Sequence, residues 1–305
     1  MQTFPVHEGF LPFHGYRTWY RVVGDSEEPD QLPLLVLHGG PGASSDYLEP
    51  LEAMVKTGRR VIFYDQLGGG NSDHPHNPSL WTVALFVEEL RAVRKALALD
   101  RVHLLGQSWG GMLAMEYALT QPDGLISLTI ADAPASMTQW VSEANSLRAQ
   151  LPPPIQHTLL QHEQQGTTDS QEYQEAMMVF YQRHVCRLHP FPECVTRTFE
   201  KLARFPEVYS TMNGPSEFHV IGTLKTWDIT ARLHEITIPT LLLSGRYDEA
   251  TPSIVETIHH RIAGSEWVVF EHSSHMPHVE ETELYMQVLG RFLRQVEEKK
   301  QGGID

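Results

Sequence analysis

Cysteine is almost missing from this chain. Cys186 and Cys194 are the only two in 305 residues, too few for a disulfide framework, so an apolar core has to hold the fold. A hydrophobic fraction of 41% supplies one. Positive charge is also scarce: 23 Lys and Arg stand against 38 Asp and Glu, for a formal net charge of −15. That balance argues against nucleic acid and anionic membrane surfaces as partners, and it suits a cationic ligand. No run reaches the ~18 consecutive apolar residues of a membrane span, and no internal repeat is visible. The opening residues Met1, Gln2, Thr3, Phe4, Pro5, Val6 and His7 offer neither the basic region nor the apolar core of a signal peptide, so a cytoplasmic protein is expected.

What is present is an alternation of strand and helix patterns. Phe10, Phe13, Tyr16, Thr18, Trp19, Tyr20 and Val22 around Gly15 predict an early hairpin. Continuous apolar runs at 34–37, 61–64, 102–105, 127–130, 240–243 and 267–270 read as strands buried on both faces of a parallel sheet. Between them the clearest helix is 82–99, where Val83, Phe86, Val87, Leu90, Val93 and Leu97 share one face. This pattern predicts a doubly wound, mostly parallel α/β sheet. From about 136 to 231 the alternation stops. Gln, His and Pro become frequent, with helical pieces at 171–187 and 194–205. The expectation is a core domain of residues 1–135 and 232–305, carrying an inserted helical cap subdomain of residues 136–231 over the strand ends. A final amphipathic helix at 280–299 and a frayed tail at 301–305 complete the reading.

The third apolar run ends in Gly106-Gln107-Ser108-Trp109-Gly110, and helical composition follows it. Strand, G-x-S-x-G, helix is the nucleophile elbow, a turn that strains a serine outward and aims it at a helix N-terminus. A serine hydroxyl needs a base, and the base needs an orienting carboxylate. On this fold both follow the serine, in the order acid then histidine. Asp248 lies straight after the strand 240–243. His275 lies straight after 267–270, with His272 nearly still in the strand and His278 set to begin the final helix. The early strand 34–37 runs into His38-Gly39-Gly40-Pro41-Gly42, whose amides can approach a ligand closely. The Gly40 and Trp109 N–H groups are therefore the expected oxyanion donors.

These motifs, with Tyr64-Asp65-Gln66-Leu67-Gly68 and Met212-Asn213-Gly214-Pro215-Ser216-Glu217-Phe218, resemble the proline iminopeptidase family of α/β-hydrolases, which includes serine aminopeptidases and amino-acid amidases. The resemblance runs in order along nearly the whole chain. It implies the α/β-hydrolase fold with its cap, and release of an N-terminal residue, proline or another small apolar one, from a peptide or amide. It also implies that Glu217 and Glu249 bind the free amino group of the substrate. Two carboxylates can pair with one ammonium, and the cation offsets their mutual repulsion. Gly69 and Asn71 stand where many relatives carry cysteine and arginine. Gln107 replaces the glycine of the strictest prolyl enzymes, a difference that bears on proline preference rather than on hydrolysis. Phe180, Tyr181, Phe218 and Trp227 could line a side-chain pocket, although at helical spacing they also suit a cap core.

The expected chemistry needs no metal or organic cofactor: Ser108 attacks, His275 moves the proton, and an acyl-enzyme is hydrolysed. An esterase, lactonase or carbon–carbon bond hydrolase would use the same scaffold without the two glutamates. A non-catalytic binding protein would show a damaged triad. Epoxide hydrolase or dehalogenase chemistry would place an aspartate at the elbow.

Overall fold

The computed structural model describes residues 4–301. The N-terminal residues 1–3 and most of the expected frayed tail, 302–305, lie outside the described residues. The strands are β1 (Val6–Phe13), β2 (Tyr16–Val23), β3 (Leu34–Leu37), β4 (Val61–Tyr64), β5 (Val102–Gln107), β6 (Leu125–Ala131), β7 (Thr240–Gly245) and β8 (Glu266–Phe270). They form one sheet in the order β1-β2-β4-β3-β5-β6-β7-β8. β1 and β2 are the expected hairpin and pair antiparallel, β2 also running antiparallel to β4. All later pairs are parallel. The helices are α1 (Val83–Ala96), α2 (Trp109–Ala118), α3 (Met137–Arg148), α4 (Pro153–Gln165), α5 (Gln171–His184), α6 (Glu193–Arg204), α7 (Glu207–Met212), α8 (Pro252–His259), α9 (Pro277–Glu280) and α10 (Thr282–Gln301).

Burial follows from this order. β3 to β7 are buried at every position, because each has a strand on both sides and helices above and below. Along each strand successive residues enter opposite cores. Leu35, Leu37, Leu104 and Ile130 pack with α1, α2 and α8. Leu34, Val36, Leu105 and Leu241 pack with α10 and the 3₁₀ segment Ser45–Thr57. β8 departs from the expected fully buried strand. It is the outermost strand, so Trp267, Val268 and Val269 remain partly exposed. The segment Ser45–Thr57 was not foreshadowed by periodicity, since Pro50 sits inside it and tilts the local propensity away from a regular helix. None of the described helices is long and apolar enough to cross a membrane.

Two features of the topology position a site. β3 lies between β4 and β5, so the chain leaves it toward one side and later adds β5 on the other. Loops after two such strands diverge and leave a crevice at the carboxyl ends of the sheet. The loop 38–42 follows β3, and Ser108 follows β5. Between β6 and β7 the chain makes α3 to α7 and no named strand. Val195, Thr198, Phe199 and Leu202 of this helical interval face Gly39, Gly40 and Ser108 across one cavity.

Candidate active site

Local sterics put Ser108 where it is. Its φ of 58° and ψ of −126° are a strained conformation for a residue with a Cβ. The turn is tight enough that a Cβ on Gly106 would lie 2.0 Å from the Gly110 carbonyl oxygen, and one on Gly110 would lie 2.3 Å from the Leu37 oxygen. No side chain fits at either place. The Ser108 N–H donates to Ala131 O at 2.8 Å, and Ser108 O accepts from Gly111 N at 2.8 Å, which ties the turn to β6 and starts α2.

His275 meets Asp248 through Nδ1 and Oδ1 at 2.6 Å. The second donor to Asp248 Oδ1 is the Ala250 N–H at 2.8 Å. Both residues are buried. Burial alone would depress the His275 pKa, but the charge and hydrogen bond of Asp248 outweigh it and hold the imidazole above its ordinary value. The other two histidines of this segment take different places. His272 is exposed. His278 is buried, with Nε2 3.1 Å from Tyr47 O, and burial pushes its pKa down to about 3, so it stays neutral and donates to that carbonyl.

Ser108, Gly40 and Glu217 line two adjoining cavities. The larger, of about 500 Å³ with its mouth, also holds His275, Glu249, Tyr47, Gln107, Tyr181 and Tyr209. The smaller, of about 270 Å³, is apolar on most sides: Pro41, Met112, Pro134, Met137, Trp140 and Leu224. Trp109, at the first turn of α2, lines it too. A first-turn N–H has no acceptor within its own helix, so the Trp109 amide is free to serve a developing charge beside Ser108.

The two glutamates converge on the same space. Glu217 Oε1 accepts from the Tyr209 hydroxyl at 2.6 Å, and Glu217 O accepts from Trp140 Nε1 at 2.7 Å. Glu249 is buried, and its Oε1 lies 3.7 Å from His275 Nε2. Its Oε2 has no hydrogen-bond partner among the described residues. Burial, then the charge of Glu217, then that of Asp248 raise the Glu249 pKa well above the carboxylate range. Burial raises Glu217 as well, against the Tyr209 hydrogen bond. An unpartnered buried carboxylate beside a second one is costly, and a cation between them would relieve both.

Several groups hold this arrangement through contacts that sequence spacing does not show. Gln107 Nε2 donates to His275 O at 2.8 Å, and Gln107 Oε1 accepts from the Tyr47 hydroxyl. That hydroxyl in turn accepts the Gly39 N–H at 2.7 Å. On the other side Trp109 Nε1 donates to Gln66 Oε1 at 2.7 Å, and Gln66 Nε2 donates to His38 O at 2.9 Å. The loop 38–42 is thus tied to the elbow and to the histidine loop through two glutamines and a tyrosine. Gln107→Ala is expected to lower kcat about 10- to 100-fold with a smaller change in KM, because it unties His275 O and Tyr47 while leaving the smaller apolar cavity, which Gln107 does not line, in place. Steady-state kinetics on a prolyl arylamide checks this. Of the four aromatic candidates for the pocket, only Tyr181 lines it. Phe180 and Phe218 meet edge to face in the core, with ring centroids 5.0 Å apart, and Trp227 Nε1 donates to Glu116. Neither Gly69 nor Asn71 lines either cavity.

A family model described as alpha/beta hydrolase fold matches residues 33–282. The chain is 41% identical to the proline iminopeptidase of Clostridium botulinum over 94% of its length and 98% of that protein's. It is 43% identical to the proline iminopeptidase of Heyndrickxia coagulans, covering 95% of this chain and 99% of that one. Among solved structures, the proline iminopeptidase of Mycobacterium smegmatis superposes with a TM-score of 0.90 at 43% identity, over 96% of this chain and all of that one. A protein named VinJ gives 0.93 at 46% identity, over 95% and 99% of the two chains.

Proposed function

This chain belongs to the proline iminopeptidase family of the α/β-hydrolases, and we propose on that basis that Ser108, His275 and Asp248 are its catalytic triad, with Glu217 and Glu249 as the anchor for the substrate's amino group. It is a serine hydrolase of the aminopeptidase type. The observation that carries the residue assignment is the position of Glu249, with one buried oxygen unpartnered and the other 3.7 Å from His275 Nε2. An ammonium held there sits beside the nitrogen that serves Ser108. Two bonds separate an α-amino nitrogen from its own carbonyl carbon. The carbonyl presented to Ser108 is therefore that of the first residue, and the enzyme removes one residue at a time from a free amino terminus.

The proposed steps use Ser108 and His275, which line one cavity, with Asp248 bonded to His275. His275 Nε2 takes the proton of Ser108 as Oγ adds to the carbonyl carbon, while Asp248 fixes the tautomer through Nδ1. The Gly40 and Trp109 amides receive the oxyanion. His275 then delivers its proton to the departing amine nitrogen as the C–N bond breaks, leaving an ester on Ser108. Water, deprotonated by the same imidazole, adds to that ester and regenerates the serine. The apolar lining of the smaller cavity suits proline or another small apolar side chain. The helical interval 136–231 acts as a cap that roofs the site and supplies Glu217.

A panel of aminoacyl arylamides and amino-acid amides, each with and without N-acetylation, tests the reading. Acetylation removes the positive charge and is expected to abolish turnover by at least about 10³-fold, the scale of leaving a buried carboxylate unpaired. Equal rates on acetylated substrates would remove the two-glutamate anchor and favour an esterase or lactonase on the same scaffold.

A further inference from the structure

Behind Asp248 a second acid approaches it. Asp132 is the residue after β6, held with a φ of 53°. Its N–H donates to Leu243 O at 2.9 Å, and its Oδ1 accepts the Gly245 N–H at 3.2 Å. Asp132 is fully buried and Asp248 is 1% exposed. Gly245, which donates to Asp132, lies three residues before Asp248, and Asp248 is the foremost charge acting on Asp132. Asp132 Oδ2 and Asp248 Oδ2 are both buried and both lack a donor among the described residues. Two neighbouring buried carboxyl groups, each with an oxygen that no donor meets, are not both anionic. One proton between them turns two orphans into one hydrogen bond.

The partners decide which acid keeps the proton. Asp248 Oδ1 already accepts from His275 Nδ1 and Ala250 N, so its anion is the better solvated of the two. Asp132 has only the longer Gly245 bond. Among the groups acting on Asp132 from the surrounding elements are Asp248, Glu280 of α9, Tyr285 of α10 and Tyr47 of the 3₁₀ segment; His275 reaches the pair through Asp248 Oδ1. Burial, then the charge of Asp248, push the Asp132 pKa well up, in agreement with the geometry. We propose that Asp132 is a neutral carboxylic acid whose Oδ2–H donates to Asp248 Oδ2, making it a positioning residue for the carboxylate that orients His275. This rests on the reading of Asp248 as the triad acid. With the third donor in place, Asp248 cannot turn Oδ1 away from the imidazole. Part of its charge is also spread into the hydrogen bond, which restrains how far it raises His275.

The test compares the full-length protein with Asp132→Asn and Asp132→Leu, using a prolyl arylamide. The asparagine amide can donate to Asp248 and accept from Gly245, so that variant is expected to keep kcat within about threefold and to retain the acid limb of the pH profile. Leucine can do neither. There kcat is expected to fall about 10- to 100-fold with KM within about twofold, and the acid limb to move to higher pH as Asp248 acts on His275 undiluted. Infrared difference spectra between native protein and Asp132→Asn should show a protonated carboxyl C=O band at neutral pH that the variant lacks. Absence of that band in the native protein, or an asparagine variant as impaired as leucine, would overturn the proposal. If Asp132→Leu does not fold, the infrared band and the asparagine kinetics decide it. Asp248→Ala serves as the separate control. Full turnover there would sink the triad reading, whereas the infrared band reports on Asp132 whatever Asp248 does.

Discussion

Ser108→Ala is expected to turn over a prolyl arylamide at least about 10⁴ times more slowly than the native chain, with a melting temperature within about 2 °C of it. The first half follows from chemistry. Without Oγ no acyl-enzyme can form, and the remaining acceleration is what amides and anchoring carboxylates give to direct attack by water. The second half follows from position. The serine side chain faces the cavity rather than the core, and alanine keeps the Cβ, so no packing is lost at the strained turn. Parallel measurement of kcat and of thermal unfolding separates the two. Retained turnover would mean that the elbow does not carry the nucleophile. A large drop in melting temperature would mean that lost activity reports on folding.

Exchange of the two carboxylates proposed as the anchor should also have a large effect, and one that depends on the substrate. Glu249→Gln is expected to lower kcat/KM for a free-amine arylamide about 10²- to 10³-fold, and Glu217→Gln somewhat less because Tyr209 already partners it. An aryl ester with no amino group should lose no more than about threefold in either variant. Glu249→Gln should also stabilise the empty protein at neutral pH. The folded-state pKa of Glu249 is raised, so between the ordinary carboxyl value and that higher value the native state holds a proton that the unfolded chain has released. Stability therefore falls as pH rises through that window. An amide has no such proton to lose. A higher melting temperature at neutral pH with a collapsed kcat/KM is the expected pairing, and it is the usual relation between a costly site and its use. Loss of stability in Glu249→Gln, or equal losses on ester and amine substrates, would contradict the anchor.

The sheet was legible because buried parallel strands must be apolar throughout, and five of the runs that read this way are buried at every position. The sixth, β8, misled because composition does not say whether a strand has one neighbour or two. The elbow was legible because crowding between Gly106 and Gly110 writes itself into five consecutive residues. Chain order after β7 and β8 points to Asp248 and His275, which meet at 2.6 Å, and the resemblance points to two glutamates that line one cavity. What stayed hidden is what depends on meeting across the fold. Tyr47 reaches Gln107 over 60 residues, and Gln66 reaches Trp109 over 43. Asp132 closes on Asp248 only because β6 and β7 are paired in register up to Ala131 and Leu243. No spacing rule brings such pairs together, and a lone acid or glutamine carries no periodicity. The aromatic residues of the helical interval could not be divided between core and cavity for the same reason.

If Glu249 anchors the amino group as proposed, its 3.7 Å separation from His275 Nε2 would also set how a longer peptide is consumed. Each turnover leaves a peptide whose new first residue carries the same free amine that admitted the last one. The product is then again a substrate. On this proposal trimming would proceed in single steps and stop at the first residue whose side chain the small apolar cavity refuses. The proposed anchor would then fix the stride, and the peptide's own sequence where the walk ends.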